Sequence, residues 1–139
     1  MASLLFTSFL EDLARGAIDM DTDSFKIMLV TSTYSPNKDT HTKRSDVTNE
    51  VTGTGYTAGG VAITVTVAKD TTNDRVTLTF SSVNWPSSTI TARAGVIYKS
   101  RGGASSADEL VCYADFLSDI ASTGATFTIT FSSPITFQN

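Results

Sequence analysis

Three aspartates at alternate positions, Asp19, Asp21 and Asp23, come closest to a metal site in residue type and spacing. Carboxylates at alternate positions open the calcium-binding loop of an EF-hand, where their oxygen atoms coordinate the ion. The rest of that loop is missing, because Ser24 stands at the position of the turn glycine and Val30 at that of the bidentate acid. The triplet therefore predicts a solvated turn, and no metal ion is expected.

The chain has a single histidine, His41, and a single cysteine, Cys112. A catalytic triad would have to use His41, which lies in a hydrophilic segment without the buried neighbours that orient a catalytic imidazole. A solvated or interface-contacting histidine is the favoured interpretation. Cys112 lies in the apolar phase of its segment, as expected of an inert core thiol. The glycine-rich segment 102–106 lacks the lysine and the strand-loop-helix context of a phosphate-binding loop, so we expect no enzymatic activity and no cofactor.

Charge and composition narrow the classes of partner. The formal net charge of the 139 residues is −4 at pH 7, the wrong sign for binding nucleic acid through a basic surface. Charged residues make up only 17% of the chain, and serine and threonine take their place. The N-terminus lacks the basic start of a signal peptide, and no apolar run approaches the roughly 20 residues that span a bilayer. We expect no direct nucleic-acid partner, no membrane partner and no export.

Two-residue alternation is the dominant pattern of the chain. Aliphatic or aromatic residues alternate mainly with threonine in segments 61–67, 76–80 and 126–131. Since successive side chains of a strand point to opposite faces, each segment predicts a strand with an apolar face and a hydroxyl face. The hydroxyl faces are either ordinary solvent-exposed surfaces or surfaces that another protein covers at little cost in side-chain entropy. The nearly continuous apolar run 25–30 predicts a central strand covered on both sides.

The N-terminal segment has helical periodicity. Apolar residues recur at three- and four-residue spacing from Leu5 to Leu13, which predicts an amphipathic helix over about residues 3–15. Ser3 is the expected N-cap and Gly16 the expected C-terminal stop. The apolar stripe must pack on the sheet or across one end of a sandwich, or else on a neighbouring subunit.

Short strands and turn signals occupy the rest of the chain. Trp85-Pro86 and segment 118–124 are expected to interrupt strands, and residues 31–60 to form a long loop. No βαβ alternation is present, which disfavours a parallel nucleotide-binding sheet. The fold class predicted is all-β: a single-domain β-sandwich or jelly roll over residues 1–139 with one N-terminal helix. The principal strands are expected at 25–30, 61–69, 75–80, 89–99, 109–116 and 125–131.

Six short segments spread over nearly the whole chain form a familiar combination. They are residues 9–13 (FLEDL), 18–23 (IDMDTD), 26–31 (KIMLVT), 53–60 (GTGYTAGG), 85–86 (WP) and 90–93 (ITAR). The combination resembles small virion proteins of tailed bacteriophages, in particular the capsid cement, or decoration, proteins. The resemblance implies a jelly-roll structural protein that binds the outer capsid surface and bridges neighbouring subunits of the major capsid protein. It also implies a homo-oligomer, a dimer in preference to a trimer, that is made in the host cytoplasm and located on the virion.

Three parts of the chain supply candidate partner contacts. They are the apolar N-terminal segment, a basic spot in the long loop and an aromatic residue among glycines. The candidates are Leu4, Leu5, Phe6, His41, Lys43, Arg44 and Tyr56.

Two alternative functions remain open at the level of sequence. A tail or head-fibre protein would share the virion location and differ in copy number. A carbohydrate-binding β-sandwich module usually presents an aromatic platform, and Trp85 is the one tryptophan in the sequence.

Overall fold

The structure, a computed structural model, describes residues 2–139 and places them in two antiparallel sheets and one helix. One sheet has the strand order β1-β7-β6-β2-β3, and the other has the order β4-β5-β8. This arrangement confirms the prediction of an all-β sandwich with one helix. The elements are β1 (Ala2–Leu5), α1 (Thr7–Arg15), β2 (Phe25–Val30), β3 (Val61–Ile63), β4 (Val65–Asp70), β5 (Arg75–Phe80), β6 (Val83–Lys99), β7 (Leu110–Ile129) and β8 (Ile135–Gln138).

The N-terminal helix is shorter than its periodicity predicts. α1 begins at Thr7 with Phe6 as N-cap, so the prediction of a helix from about residue 3 with Ser3 as N-cap is wrong. The preceding residues form β1, which pairs antiparallel with β7 and so gives its backbone groups hydrogen-bonding partners. The predicted end is confirmed, because Gly16 closes the helix in the left-handed conformation with φ of 76°. Within residues 2–139, no helix is long and apolar enough to cross a membrane.

β2 is an interior strand of the five-stranded sheet, between β6 and β3, and is buried on both faces, as its apolar run predicts. Ile27 and Leu29 point into the core between the two sheets. Met28 and Val30 join a second apolar cluster on the opposite face, where Tyr34 of the long loop packs against them. The long loop therefore covers one face of the sheet, which explains how an irregular segment becomes part of the fold.

β6 and β7 bend so sharply that the two halves of the pair face each other. The rings of Phe116 and Phe127 lie 6.2 Å apart although both belong to β7. Eleven residues of straight strand would separate them by about 36 Å. The ladder between β6 and β7 shifts register several times in this region, and such bulges bend a strand and increase its local twist.

The two strand breaks that the sequence predicts fall at this bend. β6 continues through Trp85 and Pro86, and β7 continues through residues 118–124, so both predictions are wrong as strand ends. Ser87, beside the Ser88–Ala125 pair, and Leu117, near the register shift between Ala92 and Ala94, flank the bend and have positive φ values of 49° and 70°. The residues predicted to end strands therefore lie within or beside a bend of two long strands. β6 and β7 stay continuous there because they remain hydrogen-bonded to each other.

Candidate partner-binding surfaces

The basic spot at Lys43 and Arg44 lies against the connection between β6 and β7. The Arg44 Nε atom donates to Asp108 Oδ2 at 2.7 Å, and the Arg44 guanidinium carbon lies 5.1 Å from the centre of the Tyr98 ring. The Asp108 side chain is 2% exposed, so this ion pair is largely removed from water. The Arg44 backbone N–H also donates to the Asp108 carbonyl oxygen at 2.8 Å. Arg44 therefore fixes the long loop to the fold, whereas Lys43 retains an accessible charge.

Glu109, a second acidic residue in the connection between β6 and β7, forms ion pairs with two basic side chains. Arg101 contacts its carboxylate at 2.6 Å and Lys43 at 3.7 Å. Burial disfavours the charged form of Glu109, but the hydrogen bonds from Arg101 and the surrounding positive charges hold its pKa below the ordinary value. Asp23 pairs with Lys99 at 2.7 Å, and its pKa is also lowered, because hydrogen bonds and positive charge outweigh the effect of burial.

Acid is expected to destabilise the protein through these carboxyl groups. A group whose pKa is lowered by folding contributes stability that is complete above its unfolded pKa and is lost as the pH falls through its folded pKa. The ordinary values are 4.5 for Glu109 and 3.8 for Asp23. The free energy of unfolding, measured by urea titration, should therefore fall steadily as the pH drops below about 4.5.

The other carboxyl groups with a shifted pKa determine whether acid lowers or raises the stability overall. Burial raises the pKa of Asp12, which acts in the opposite direction. The groups with a lowered pKa outnumber it, so the net effect of acid is a loss of stability. A free energy of unfolding that rises or stays constant between about pH 5 and pH 3 would contradict this balance. The further lowered groups are Asp19, Asp46, Asp70 and Asp115.

The N-terminal candidates do not form an exposed helical stripe. Leu5 lies at the end of β1 and packs against the core between the sheets, whereas Leu4 and Phe6 join the cluster on the opposite face of the five-stranded sheet. Phe6 is fully buried and offers no surface to a partner in this conformation. Leu4 and Leu5 are half-buried, so their main contacts are within the chain.

His41 is held inside the long loop by its neighbours. Its ring stacks on Tyr34 with 5.7 Å between the ring centroids, and the Tyr34 hydroxyl lies 2.9 Å from His41 Nδ1. The backbone N–H of Asn37 donates to the same nitrogen at 3.3 Å. Burial raises the pKa of Tyr34 to about 12, so its hydroxyl stays protonated. His41 is half-buried, and its role in this structure is to shape the loop.

Tyr56 faces the protein interior. Its hydroxyl donates to Glu50 Oε1 at 2.7 Å and accepts the Leu29 N–H at 2.9 Å, and burial raises its pKa. Its ring lies 6.0 Å from that of Trp85, which is 2% exposed. Tyr56 thus fastens the glycine-rich turn to β2 and covers the buried tryptophan.

The aspartate triplet forms a turn closed by its own hydrogen bonds. Asp19 accepts the N–H of Asp21 at 2.9 Å, and Asp23 accepts the N–H of Asp19 at 2.8 Å. No three residues of the types His, Cys, Asp or Glu are arranged to hold a metal ion between residues 2 and 139. Cys112 is buried, as predicted, and burial raises the pKa of its thiol to about 12.

The outer face of the three-stranded sheet carries a continuous array of threonines, here called the threonine array: Thr66, Thr77, Thr79 and Thr136. Thr66 lies opposite Thr79, and Thr77 lies opposite Thr136. Thr66, Thr79 and Thr136 are exposed, and this confirms the hydroxyl faces that the alternation predicts. The alternation indicates the face of each strand, whereas the array arises because three strands pair in this register.

Large apolar side chains are exposed in the second half of β7. Leu117 is 63% exposed and Ile120 is 43% exposed. The φ of 70° at Leu117 is left-handed, which costs a non-glycine residue about 1–2 kcal/mol. Phe116, Ile120, Phe127 and Ile129 line an open concavity of about 350 Å³ beside this segment. The sequence predicts a loop at 118–124, so it gives no indication that Ile120 lies on a strand beside Phe127.

Comparisons with known proteins give no relative: no protein-family model, no curated protein and no solved structure matches this chain. The fold and the surfaces therefore carry the functional argument, together with the resemblance of the six sequence segments.

Proposed function

We propose that this chain is a non-enzymatic cement protein that binds the outer surface of a bacteriophage capsid and bridges neighbouring subunits of the major capsid protein. The resemblance of the six sequence segments and the surface chemistry of the sandwich support this proposal. A protein that binds the assembled shell and not its separate subunits shifts the equilibrium towards the shell. Contacts with more than one capsomer multiply a modest affinity at each site.

The threonine array is the observation that carries the proposal. Short hydroxyl side chains lose little conformational entropy when a partner covers them, and no charge within the array has to be removed from water. At one end of the sheet Arg75 and Asp70 form an ion pair at 2.9 Å and so partly neutralise each other. Ala68, which lies opposite Thr77, is exposed and adds a small apolar contact to the same face.

Copy number and location in purified virions decide between the virion roles. Quantitative mass spectrometry gives the number of copies, and electron microscopy of particles with and without the chain gives their position. We expect many copies over the whole shell, and lower shell stability after the protein is removed. A few copies at the tail or at one vertex would instead establish a tail or head-fibre protein.

Thr79→Arg is expected to weaken shell binding without unfolding the protein. Thr79 is exposed on β5, the middle strand of the sheet, so an arginine there would put an unpaired charge into the interface, where desolvation is costly. The affinity for shells that lack the protein should fall by roughly tenfold or more. Co-sedimentation of the purified protein with such shells measures this loss.

Thr91→Arg is the matched control, since Thr91 is an exposed threonine on β6, outside the threonine array. The control should bind like the unchanged protein. Equal occupancy by both variants would remove the threonine array as the capsid-binding surface.

The carbohydrate-binding alternative lacks a supporting feature in the described residues. Such a module usually stacks a sugar ring on an exposed aromatic side chain. Trp85 is 2% exposed and lies between Tyr56 and Phe127, with its ring 5.9 Å from that of Phe127. Specific binding on a glycan array would bring this alternative back.

A further inference from the structure

The outer edge of β7 is open along its second half. β1 pairs with β7 from Cys112 to Asp115 and then ends, and no other strand within residues 2–139 pairs with that side of β7. From residue 116 onwards, the backbone groups on this side of β7 therefore have no strand partner among the described residues. Such an edge is a template for another strand.

Residues 120–129 of the open edge carry neither of the two side-chain features that normally protect an edge strand, although Asp119 precedes them and bulges bend the strand. Charged residues, especially lysine, and proline usually prevent edges from pairing with another chain. Segment 120–129 contains no charged residue and no proline. By comparison, the edge strand β4 ends in Lys69 and Asp70. The second half of β7 is thus a long edge segment without charge or proline, and the exposed Ile120 lies at its start.

The end of this edge is complementary to itself. Residues 126–130 read Thr-Phe-Thr-Ile-Thr, so an antiparallel copy placed about a two-fold axis at Thr128 puts Thr128 opposite its own copy. In the same register Phe127 lies opposite Ile129, and Thr126 lies opposite Thr130. Aromatic pairs with β-branched residues and threonine pairs each stabilise antiparallel strands by roughly 0.2–1 kcal/mol. No like charges face each other in this register.

The surface beside the edge also fits a second copy. Phe127 and Ile129 point towards the core and help line the open concavity of about 350 Å³, together with Phe116 and Ile120. A copy paired at Thr128 would place its own Phe127 and Ile129 on this same face. Phe127 and Ile129 are already buried within one chain, so the apolar surface still open to a second copy is that of Ile120, which is 43% exposed.

We propose that two copies of this chain pair antiparallel through the open edges of β7, with the two-fold axis at Thr128. The pairing joins two five-stranded sheets into one continuous sheet across the dimer. In a two-fold contact the same edge of each copy is occupied by the other copy. No edge of this kind is left for a third chain, so the assembly stops at a dimer. The proposal concerns the isolated protein and does not depend on capsid binding.

Cysteine cross-linking tests the register of the pairing. In the proposed dimer the Thr128→Cys side chains lie directly opposite, with Cβ atoms about 4.5–5.5 Å apart, close to the range in which a disulfide forms. The matched control, Thr126→Cys, places its two sulfurs on residues about 14 Å apart along the strand, too far for a disulfide. Cys112 is buried and should not react. We expect covalent dimers for Thr128→Cys and monomers for Thr126→Cys after mild oxidation of the full chain.

Mass measurement of the isolated protein tests the dimer itself. Light scattering after size exclusion should give about twice the 14.8 kDa of one chain. Thr128→Lys puts two like charges at the axis and should shift the protein to monomer by at least tenfold in dissociation constant. Asn84→Lys should not, since Asn84 is exposed on β6, behind β7. A monomeric unchanged protein, equal cross-linking of the two cysteine variants, or a dimer unaffected by Thr128→Lys would each overturn the proposal.

Discussion

Arg44→Ala is expected to lower the free energy of unfolding by about 3–5 kcal/mol. The substitution removes the cation that lies 2.7 Å from the Asp108 carboxylate and leaves that buried acid without its ionic partner. Arg44 also covers the Tyr98 ring, so its loss exposes an aromatic face as well. Urea unfolding followed by circular dichroism measures the change.

Lys43→Ala is the matched control at the neighbouring position. Lys43 is more exposed, and its contact with Glu109 is 3.7 Å, while Arg101 holds the same carboxylate at 2.6 Å. Its loss should cost about 0–1 kcal/mol, as for other exposed ion pairs. If both alanine variants lowered the free energy of unfolding equally, the burial of Asp108 would not be the reason why Arg44 stabilises the protein.

This difference changes how capsid contacts should be tested. Reversing the charge of both Lys43 and Arg44 would put a negative charge beside the buried Asp108 carboxylate. Loss of shell binding in such a variant would then report on folding as much as on recognition. The exposed Thr79 separates the two effects, because its side chain makes no ion pair and lies on the surface.

The sequence predicts the features of this fold that depend on local pattern. The alternation in 76–80 and 126–129 places strands and their faces correctly, since the period of two follows from strand geometry alone. The single strand predicted at 61–69 is wrong, because the chain divides at Thr64 into β3 and β4, which belong to different sheets. The apolar run of β2 predicts burial on both faces, and Gly16 predicts the end of α1. Each of these features requires information only from residues close in sequence.

Features that depend on distant partners are not predicted. β1 exists because β7 lies beside it, whereas the apolar spacing of residues 3–6 by itself predicts the start of the helix. The corner in β6 and β7 is continuous because each strand supports the other through the bend. Arg44 and Asp108 are 64 residues apart, and nothing near Arg44 in sequence indicates that its charge is neutralised.

The candidate contact residues also divide into those that the local sequence pattern predicts and those that depend on distant partners. Exposure of the threonine faces follows from alternation, whereas the sequence does not show whether Phe6 packs within its own chain or on a partner, or where the Tyr56 ring points. The structure gives both of them internal partners. The open edge at Thr128 needs strand order to be recognised, because a symmetric run of threonine and apolar residues is ordinary until one side of its strand is known to be unpaired.

Gly60→Ala is expected to prevent stable folding or to lower the free energy of unfolding by roughly 4 kcal/mol or more. A Cβ atom at Gly60 would overlap the Ile27 carbonyl oxygen, which belongs to the backbone of the interior strand β2 and cannot rotate away. The φ of 75° is also left-handed and unfavourable for alanine. Relief of the overlap would move β3 away from β2 and disturb the turn in which Gly59 accepts the Tyr98 hydroxyl at 2.6 Å.

Gly102→Ala separates the clash from the backbone strain. Gly102 has a similar φ of 79°, but no atom lies within 4 Å of an added Cβ, so alanine there should cost only about 1–2 kcal/mol. Urea unfolding of both variants, with the yield of soluble protein as a second measure for Gly60→Ala, gives the difference. If the two alanine variants lose the same stability, the close approach of the loop to β2 does not hold the fold together, and the long loop can leave the sheet without disrupting it.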